Sequence, residues 1–321
     1  LLRNHIGRRL FPPRWQCRAA GVSSRIVNLP ELPEVETVKR GLQPVMEGRR
    51  ILSATANRAD LRFPLPDRFG ARLAGRTIVS MGRRAKYLMA DLDDGEVLVM
   101  HLGMTGRFLI ERSGSVQIPG EFTQTVNRLP VHDHVVFEME GGARITYNDV
   151  RRFGFMDIIP RAAISSHPLT KDIGIEPLGN ELTPEKLAEF FAGKAAPLKA
   201  ALLDQRQIAG LGNIYVCEAL FRSGLSPRRA AGSIVRQDGS PTARARKLTE
   251  EIRLVLQEAI EAGGSTLRDF AHADGSLGYF QHRFKVYDRE GEPCPKTSCS
   301  GVVQRIVQSG RSTFFCAICQ R

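Results

Sequence analysis

The chain has 321 residues, with 46 lysines and arginines against 34 acidic residues, a formal net charge of +12 and a pI near 9.8. That length suffices for two domains with cores of their own, and the positive balance fits a polyanionic partner such as nucleic acid. No run of about 18 apolar residues occurs, which excludes a membrane-spanning helix.

Residues 1–29 stand apart, with six arginines, no acid and the pair Pro12-Pro13. No apolar stretch there is long enough for a secretory signal. The composition resembles an organelle transit peptide, and equally the translation of upstream DNA, so fold reasoning starts at Pro30. Without this leader, 40 basic residues still face 34 acidic ones.

Pro30-Glu31-Leu32-Pro33-Glu34-Val35-Glu36-Thr37 opens the body of the chain. Pro33 suits the first turn of a helix, where its missing N–H costs nothing. Glu34 and Glu36 suit the positive end of the helix dipole. Val35, Val38, Leu42 and Val45 recur at helical spacing, and Pro44 and Gly48 mark the end. The plain reading is a helix with a rigid entry. A second reading is chemical: in a chain that begins at Pro30, the secondary amine is a nucleophile with the Glu31 carboxyl beside it.

β character follows. Arg76–Leu92 and Glu96–Leu102 are joined at Asp93-Asp94-Gly95, a hairpin signal. Inside the first run Lys86 alternates in phase with Arg84 and Leu88, which places it towards a cleft or on an ordinary exposed face. His134–Glu140 and Ala143–Tyr147 pair around Gly141-Gly142, with Val135, Phe137 and Met139 on one face. Two β-runs end in glycine-bearing stretches that set Met104, Arg151 and Phe153 at loop tips. Apolar wedges and arginines at such tips can fill a gap in a DNA stack; alternatively Met104 and Phe153 are core and Arg151 is solvated. His132-Asp133-His134 lacks a third ligand at a metal-binding spacing, and phosphate contact by His132 serves as well. This half reads as an antiparallel sandwich or barrel with one leading helix.

The composition shifts near residues 160–180, and helices follow at Thr183-Pro184, Leu198–Gln205, Asn213–Ser223 and Ala243–Ala262. Between the second and third lies Gln207-Ile208-Ala209-Gly210-Leu211-Gly212-Asn213. Two glycines allow a tight turn, and Asn213 is placed as the cap of the next helix, whose N-terminus is a ready phosphate site or simply a helical corner.

Four of the six cysteines crowd into the tail as Cys294-x4-Cys299-x16-Cys316-x2-Cys319. Two thiolate pairs at that spacing can surround one Zn²⁺ tetrahedrally and leave no open position. In an otherwise cysteine-poor chain this reads as a metal site in a reducing compartment rather than a disulfide framework; an iron–sulfur cluster is the rival. Cys217, alone in an apolar helical pattern, reads as core. Arg311, between the two pairs, can reach a phosphate or be solvated.

Taken in order, the Pro30–Thr37 segment, Arg83-Arg84-Ala85-Lys86-Tyr87, His101-Leu102-Gly103-Met104-Thr105-Gly106, Arg151-Arg152-Phe153-Gly154, Gly210-Leu211-Gly212-Asn213-Ile214-Tyr215 and the four-cysteine tail resemble formamidopyrimidine-DNA glycosylase. The resemblance spans residues 30–321. It implies an α+β multidomain chain: an N-terminal antiparallel β-sandwich with a leading helix (30–160), a helix–two-turn–helix domain (161–279) and a zinc-finger hairpin (280–321). It implies a monomeric, cytoplasmic, nucleoid-associated base-excision repair enzyme, with one structural Zn²⁺, that removes 8-oxoguanine and formamidopyrimidines from duplex DNA and cleaves the abasic strand. Import into an organelle through the leader is the other localisation.

By the same resemblance, Pro30 attacks C1′ and forms a Schiff base, and Glu31 assists opening of the sugar ring. Lys86 acts in β-elimination and on the lesion's phosphates, and Arg311 grips phosphate and assists δ-elimination. Asn213 binds phosphate, His132 contacts DNA, and Met104, Arg151 and Phe153 fill the void left by the flipped nucleotide. Ala271–Gly278 resembles the loop over the flipped base. Two features depart from the pattern: the first cysteine pair has four intervening residues where many members have two, and Val150 replaces a frequent proline. An amine at Pro30 exists only if the active chain starts there, which is the expectation. Leu29 stands where the family has its initiator methionine, and the sole tryptophan, Trp15, lies in the leader. The rival readings are an endonuclease VIII-like enzyme acting on oxidised pyrimidines, and a non-catalytic zinc-finger DNA binder if the leader is retained.

Overall fold

The structure, a computed structural model, describes residues 30–119, 129–264 and 283–321. The leader and the Ala271–Gly278 segment lie outside the described residues.

Helix α1 (Leu32–Met46) is capped by Glu31 in a reciprocal box: the Glu31 side chain accepts from the Glu34 N–H, and the Glu31 N–H donates to the Glu34 carboxylate at 2.9 Å. Its buried face is Val35, Val38, Leu42 and Val45, as the spacing requires, and Pro44 sits inside the last turn rather than ending the helix. After it come β1 (Ile51–Ala56), the short α2 (Phe69–Leu73), β2 (Ile78–Arg84), β3 (Tyr87–Leu92), β4 (Glu96–His101), β5 (Arg107–Arg112), β6 (Ser115–Gln117), β7 (Asp133–Met139), β8 (Arg144–Asn148) and β9 (Phe155–Pro160). The strands form two antiparallel sheets, β1-β7-β8-β5-β6 and β2-β3-β4-β9. Phe108, Phe137, Ile145 and Tyr147 of one sheet meet Leu88, Leu98, Met100 and Ile158 of the other, and α1 closes one end of this core. The second sheet is buried on its far face too, where Met89, Val97, Val99 and Ile159 pack with Ile164 and Leu169. That double burial is why Val97-Leu98-Val99-Met100 is apolar without alternation.

The helical unit contains α3 (Pro184–Phe191), α4 (Leu198–Leu202), α5 (Asn213–Ser223) and α6 (Ala243–Glu261). Thr183 caps α3 by accepting from the Lys186 N–H at 3.1 Å, and Gly224, at φ 69°, ends α5. Helix α4 stops at Leu202, short of the Gln205 of the sequence reading, because the chain turns through Asp204. The tail forms a hairpin, β10 (Val303–Gln308) and β11 (Arg311–Cys316), joined by Ser309-Gly310, both at positive φ. Its Val303, Phe314 and Cys316 enter the same core as Leu198, Leu220 and Val255, so the hairpin and the helices share one apolar interior.

Candidate active site

The local structure corrects two placements. Arg76–Leu92 is not one strand: it folds into β2 and β3, and Lys86 lies in the turn between them, flanked by the pair Arg84↔Tyr87. Ala85 enters the turn at φ 53°, a region that costs a non-glycine residue about 1–2 kcal/mol. Glu176 holds it there, accepting from the Ala85 N–H at 2.6 Å and from Arg83 and Arg84 at 2.9 Å each. Alternation within the strand therefore does not aim Lys86; the turn does. Asn213 is likewise not the cap of α5. Gly212 is the cap, Asn213 is the first helical residue, and its Nδ2 donates to the Ser312 carbonyl at 2.9 Å.

These two shifts bring the residues together at a seam between the sandwich and the helices. Pro30 is buried there, and Glu31 is only 3% exposed. Glu31 Oε1 accepts from the Ile214 N–H at 3.1 Å, at the start of α5, while Oε2 is buried with no partner among the described residues. Gly212 has to be glycine, since a Cβ there would collide with the Glu31 carboxyl. Burial pushes the Glu31 pKa up to about 7, against the opposing pull of the Lys86 ammonium. Burial also lowers the Lys86 pKa, with Arg311 pressing the same way and Glu31 opposing. Behind Glu31, the Tyr215 hydroxyl donates to Glu34 at 2.5 Å, which leaves Glu34 committed to structure. Arg311 is exposed at the start of β11, one residue from the carbonyl that Asn213 holds.

The second group of expected residues gathers apart from the seam. Met104 is half-buried in the turn after β4, and Phe153, 41% exposed, follows Arg151, whose guanidinium lies over its ring at 4.6 Å. His132 ends a single 3₁₀ turn before β7, and its carbonyl accepts from the Asp149 N–H at 3.0 Å. A ladder of rings joins the two groups: Tyr87 lies 5.2 Å from His101, which stacks on Phe155 at 5.2 Å.

Of the buried charges that sequence reasoning missed, three support segments around the site. Lys199, fully buried, donates to the Ser312 carbonyl at 3.0 Å and to Thr313 Oγ1 at 2.6 Å, so it props the strand that carries Arg311. Beside Leu198 in a short helix, it carries no pattern that marks it as internal. Glu218 accepts from the N–H groups of Lys285, Val286 and Tyr287 at 2.9–3.0 Å and anchors the entry to the hairpin. A carboxylate inside the apolar run Tyr215–Leu220 is a signal that could have found it. Asp149, also fully buried, sits between the loops of Met104 and Phe153.

The four expected cysteines converge. All Sγ atoms of Cys294, Cys299, Cys316 and Cys319 lie within 4.8 Å of one another, with Cys294–Cys319 at 3.7 Å and Cys299–Cys316 at 3.6 Å. Zn–S bonds of about 2.3 Å at tetrahedral angles put sulfurs about 3.8 Å apart, so the set fits one Zn²⁺. The longer first knuckle closes without difficulty. The ion supplies folding energy to the hairpin and holds no position for substrate.

Comparisons with known proteins agree along the chain. The formamidopyrimidine-DNA glycosylase N-terminal domain matches residues 29–156, the H2TH domain of the same enzymes matches 173–271, and the zinc finger found in FPG and IleRS matches 291–321. Formamidopyrimidine-DNA glycosylase of Beijerinckia indica subsp. indica is 63% identical over 293 residues, covering 91% of this chain and all of that protein. The same enzyme of Methylocella silvestris is 60% identical over 296 residues, with 91% and 100% covered. Among solved structures, MutM (Fpg) from Thermus thermophilus aligns with a TM-score of 0.72 at 40% identity, over 91% of this chain and 98% of that one. Lactococcus lactis Fpg in complex with abasic-site DNA aligns with a TM-score of 0.75 at 32% identity, over 91% and 100%. With three domains matched in order and relatives near 60% identity over their whole length, the chain belongs to the formamidopyrimidine-DNA glycosylase family, the DNA glycosylases of base-excision repair.

Proposed function

We propose that this chain excises 8-oxoguanine and ring-opened formamidopyrimidines from duplex DNA and then cleaves the strand by β- and δ-elimination, working as a monomer in a reducing, cytoplasmic compartment. Among the described residues no helix is long and apolar enough to cross a membrane. Lactococcus lactis Fpg has been solved with abasic-site DNA and, as a mutant, with Fapy-dG DNA, and those substrates suit the seam described above.

The observation that carries the reading is Glu31: a buried carboxyl beside Pro30, with a pKa near 7, one oxygen held by the Ile214 N–H and the other unpartnered among the described residues. Such a group is a proton donor at neutral pH. The free amine of Pro30 attacks C1′, and the damaged base leaves with the glycosidic electron pair and takes up a proton. Glu31 delivers its proton to the ring oxygen as the sugar opens, and the amine nitrogen forms an iminium to C1′. That iminium accepts electrons when a C2′ proton is lost and the 3′ phosphate departs; a second elimination releases the 5′ phosphate. Lys86 and Arg311 face those phosphates, and Asn213 and His132 help seat the backbone. Met104, Arg151 and Phe153 occupy the space left in the stack, which offsets the cost of flipping the nucleotide, about a few kcal/mol in general.

This chemistry requires a chain that starts at Pro30, and the family's N-terminal domain match at residue 29 is in register with that start. Borohydride reduction on 8-oxoguanine duplex is the test. The protein from its native source should become covalently joined to DNA, its mass should match residues 30–321 plus zinc, and it should lack the fluorescence of Trp15. Excision by a protein that retains Trp15 and an acylated Pro30 would remove the proline from the mechanism.

A further inference from the structure

We propose that Asp149 is a positioning residue that locks the loop of Met104 and the loop of Arg151 and Phe153 into a single wedge; this rests on the void-filling role given to those three residues above. Asp149 is fully buried. Its Oδ1 accepts from the Thr105 hydroxyl in the first loop and from the Arg151 N–H, at 3.3 Å, in the second. Its Oδ2 accepts from the Gly154 N–H at 2.9 Å and from the Tyr147 hydroxyl at 3.2 Å. The Thr105 oxygen in turn accepts from the Arg151 N–H at 3.1 Å, so hydroxyl, carboxylate and amide close a small ring across the two loops.

The backbone of the same residue extends the lock. Its N–H donates to the His132 carbonyl at 3.0 Å, and its carbonyl accepts from the Arg152 N–H at 3.3 Å and lies 2.8 Å from His134 Nε2. Arg152 is held at φ 55°, which turns the chain so that Arg151 and Phe153 both face outward. The loops also touch directly: a Cβ on Gly103 would collide with the backbone of Phe153 and Gly154, and one on Gly154 with the Tyr147 hydroxyl. One residue thus reaches the segments of Met104, Arg151 and Phe153 through its side chain and that of His132 through its backbone.

No cation pairs with this carboxylate among the described residues; every partner is a neutral N–H or O–H. Burying an anion is unfavourable unless its oxygens are filled with donors, and an apolar residue of similar size would serve the core better. What an apolar residue could not do is fix the relative position of two loops. A wedge that must push against a closed base stack gains from being held in its working position before contact. Burial and the adjacent Asp149 carboxylate both raise the Tyr147 pKa, so its hydroxyl stays a donor at any pH the enzyme meets.

The test uses the full chain that starts at Pro30, single-turnover excision from 8-oxoguanine duplex, and borohydride capture on a single-stranded abasic oligonucleotide, which has no stack to open. Asp149→Asn keeps the shape and replaces one acceptor by a donor. Duplex excision should fall by about tenfold to a hundredfold while single-strand capture stays within about twofold. A 2-aminopurine beside the lesion should report slower stack opening. Thr105→Val, which removes only the bridging hydroxyl, should show a smaller loss of the same kind, and Thr105→Ser should restore the rate; this pair decides the matter if Asp149→Asn does not fold. Equal losses on both substrates, or no loss on duplex, would overturn the proposal. Phe153→Ala separates the two levels. If it shows no duplex-specific loss, the wedge reading itself fails; if it does and Asp149→Asn and Thr105→Val do not, only the role of Asp149 fails.

Discussion

The seam and the loop tips invert the usual rule of burial in opposite senses. At the seam, charged groups are inside: Glu31, Glu34 and Lys199 are buried, and Lys86 is half-buried beside them. At the tips, an apolar ring is outside, with Phe153 at 41% exposure and Arg151 over its face. Folded chains hide rings and expose charges when stability alone decides. The seam gives up stability to obtain groups whose proton affinity is set by the protein. On the function proposed above, the tips give it up to present apolar surface that finds a partner only when a base leaves its stack. On that reading, chemistry and mechanical work on DNA are two different departures from a well-made core.

The largest effect should come from removing the acid at the seam. Glu31→Gln should lower excision by about 10²–10⁴-fold, the usual contribution of a general acid. Its stability should move the other way, with a size that depends on pH. The Glu31 pKa rises on folding from an ordinary 4.5 to about 7, so between those values the folded state holds a proton that the unfolded state has released. Stability contributed by this group is whole below the lower value and is lost as pH rises through the window. The loss approaches about 3 kcal/mol above pH 7. Glu31→Gln should therefore resist denaturant better than the parent at pH 8 and equally at pH 4. Denaturant melts at the two pH values check this, and a constant difference between them would show that Glu31 is not strained by its burial.

The zinc hairpin lies on the seam side and should break next. Cys316→Ser removes one of four thiolates that meet within 4.8 Å, and Cys316 is itself part of the helical core. Zinc content should drop from one per chain towards none, and DNA affinity should fall with it, because a two-stranded hairpin without metal cannot hold Arg311 in place. Full zinc occupancy with normal affinity in this variant would remove Cys316 from the zinc site.

Much of this arrangement is legible in the sequence, and the parts that are not have a common cause. The helix of Val35, Val38 and Leu42, the caps Thr183 and Gly224, and the cysteine spacing all obey local rules, and they stand where those rules put them. The strand that carries Lys86 reads as continuous because Ala85 gives no turn signal; its left-handed backbone is imposed from outside, by Glu176, far along the chain. Asn213 has the residue type of a cap, yet Gly212 takes that position because the Glu31 carboxyl presses against it. Lys199 and Asp149 are ordinary polar residues in sequence, and only the fold shows that each is wholly inside and bound to a segment that bears an expected DNA contact. Wherever a distant residue sets the local conformation, the local rule fails, and in this chain those places line the site.

The smallest effect should be the most selective. Arg311 follows directly on the Ser309-Gly310 turn and its side chain is exposed. The backbone beyond it does not depend on that side chain, since Ser312 is held by Lys199 and Asn213, and Thr313 by Lys199. Arg311→Ala should consequently leave thermal stability within about 0.5 kcal/mol, as for a surface change away from any buried feature. A phosphate contact releases counterions, so the slope of log K against log salt should flatten by about one unit or less, with no change in which base is removed. Lys199→Met is the counterpart: it takes the buried support away and leaves the Arg311 guanidinium in place, so hairpin stability should fall as well as affinity. If Arg311→Ala left the salt slope unchanged, the exposed arginine would be a solvated surface group. The phosphate side of the seam would then rest on Lys86 and Asn213.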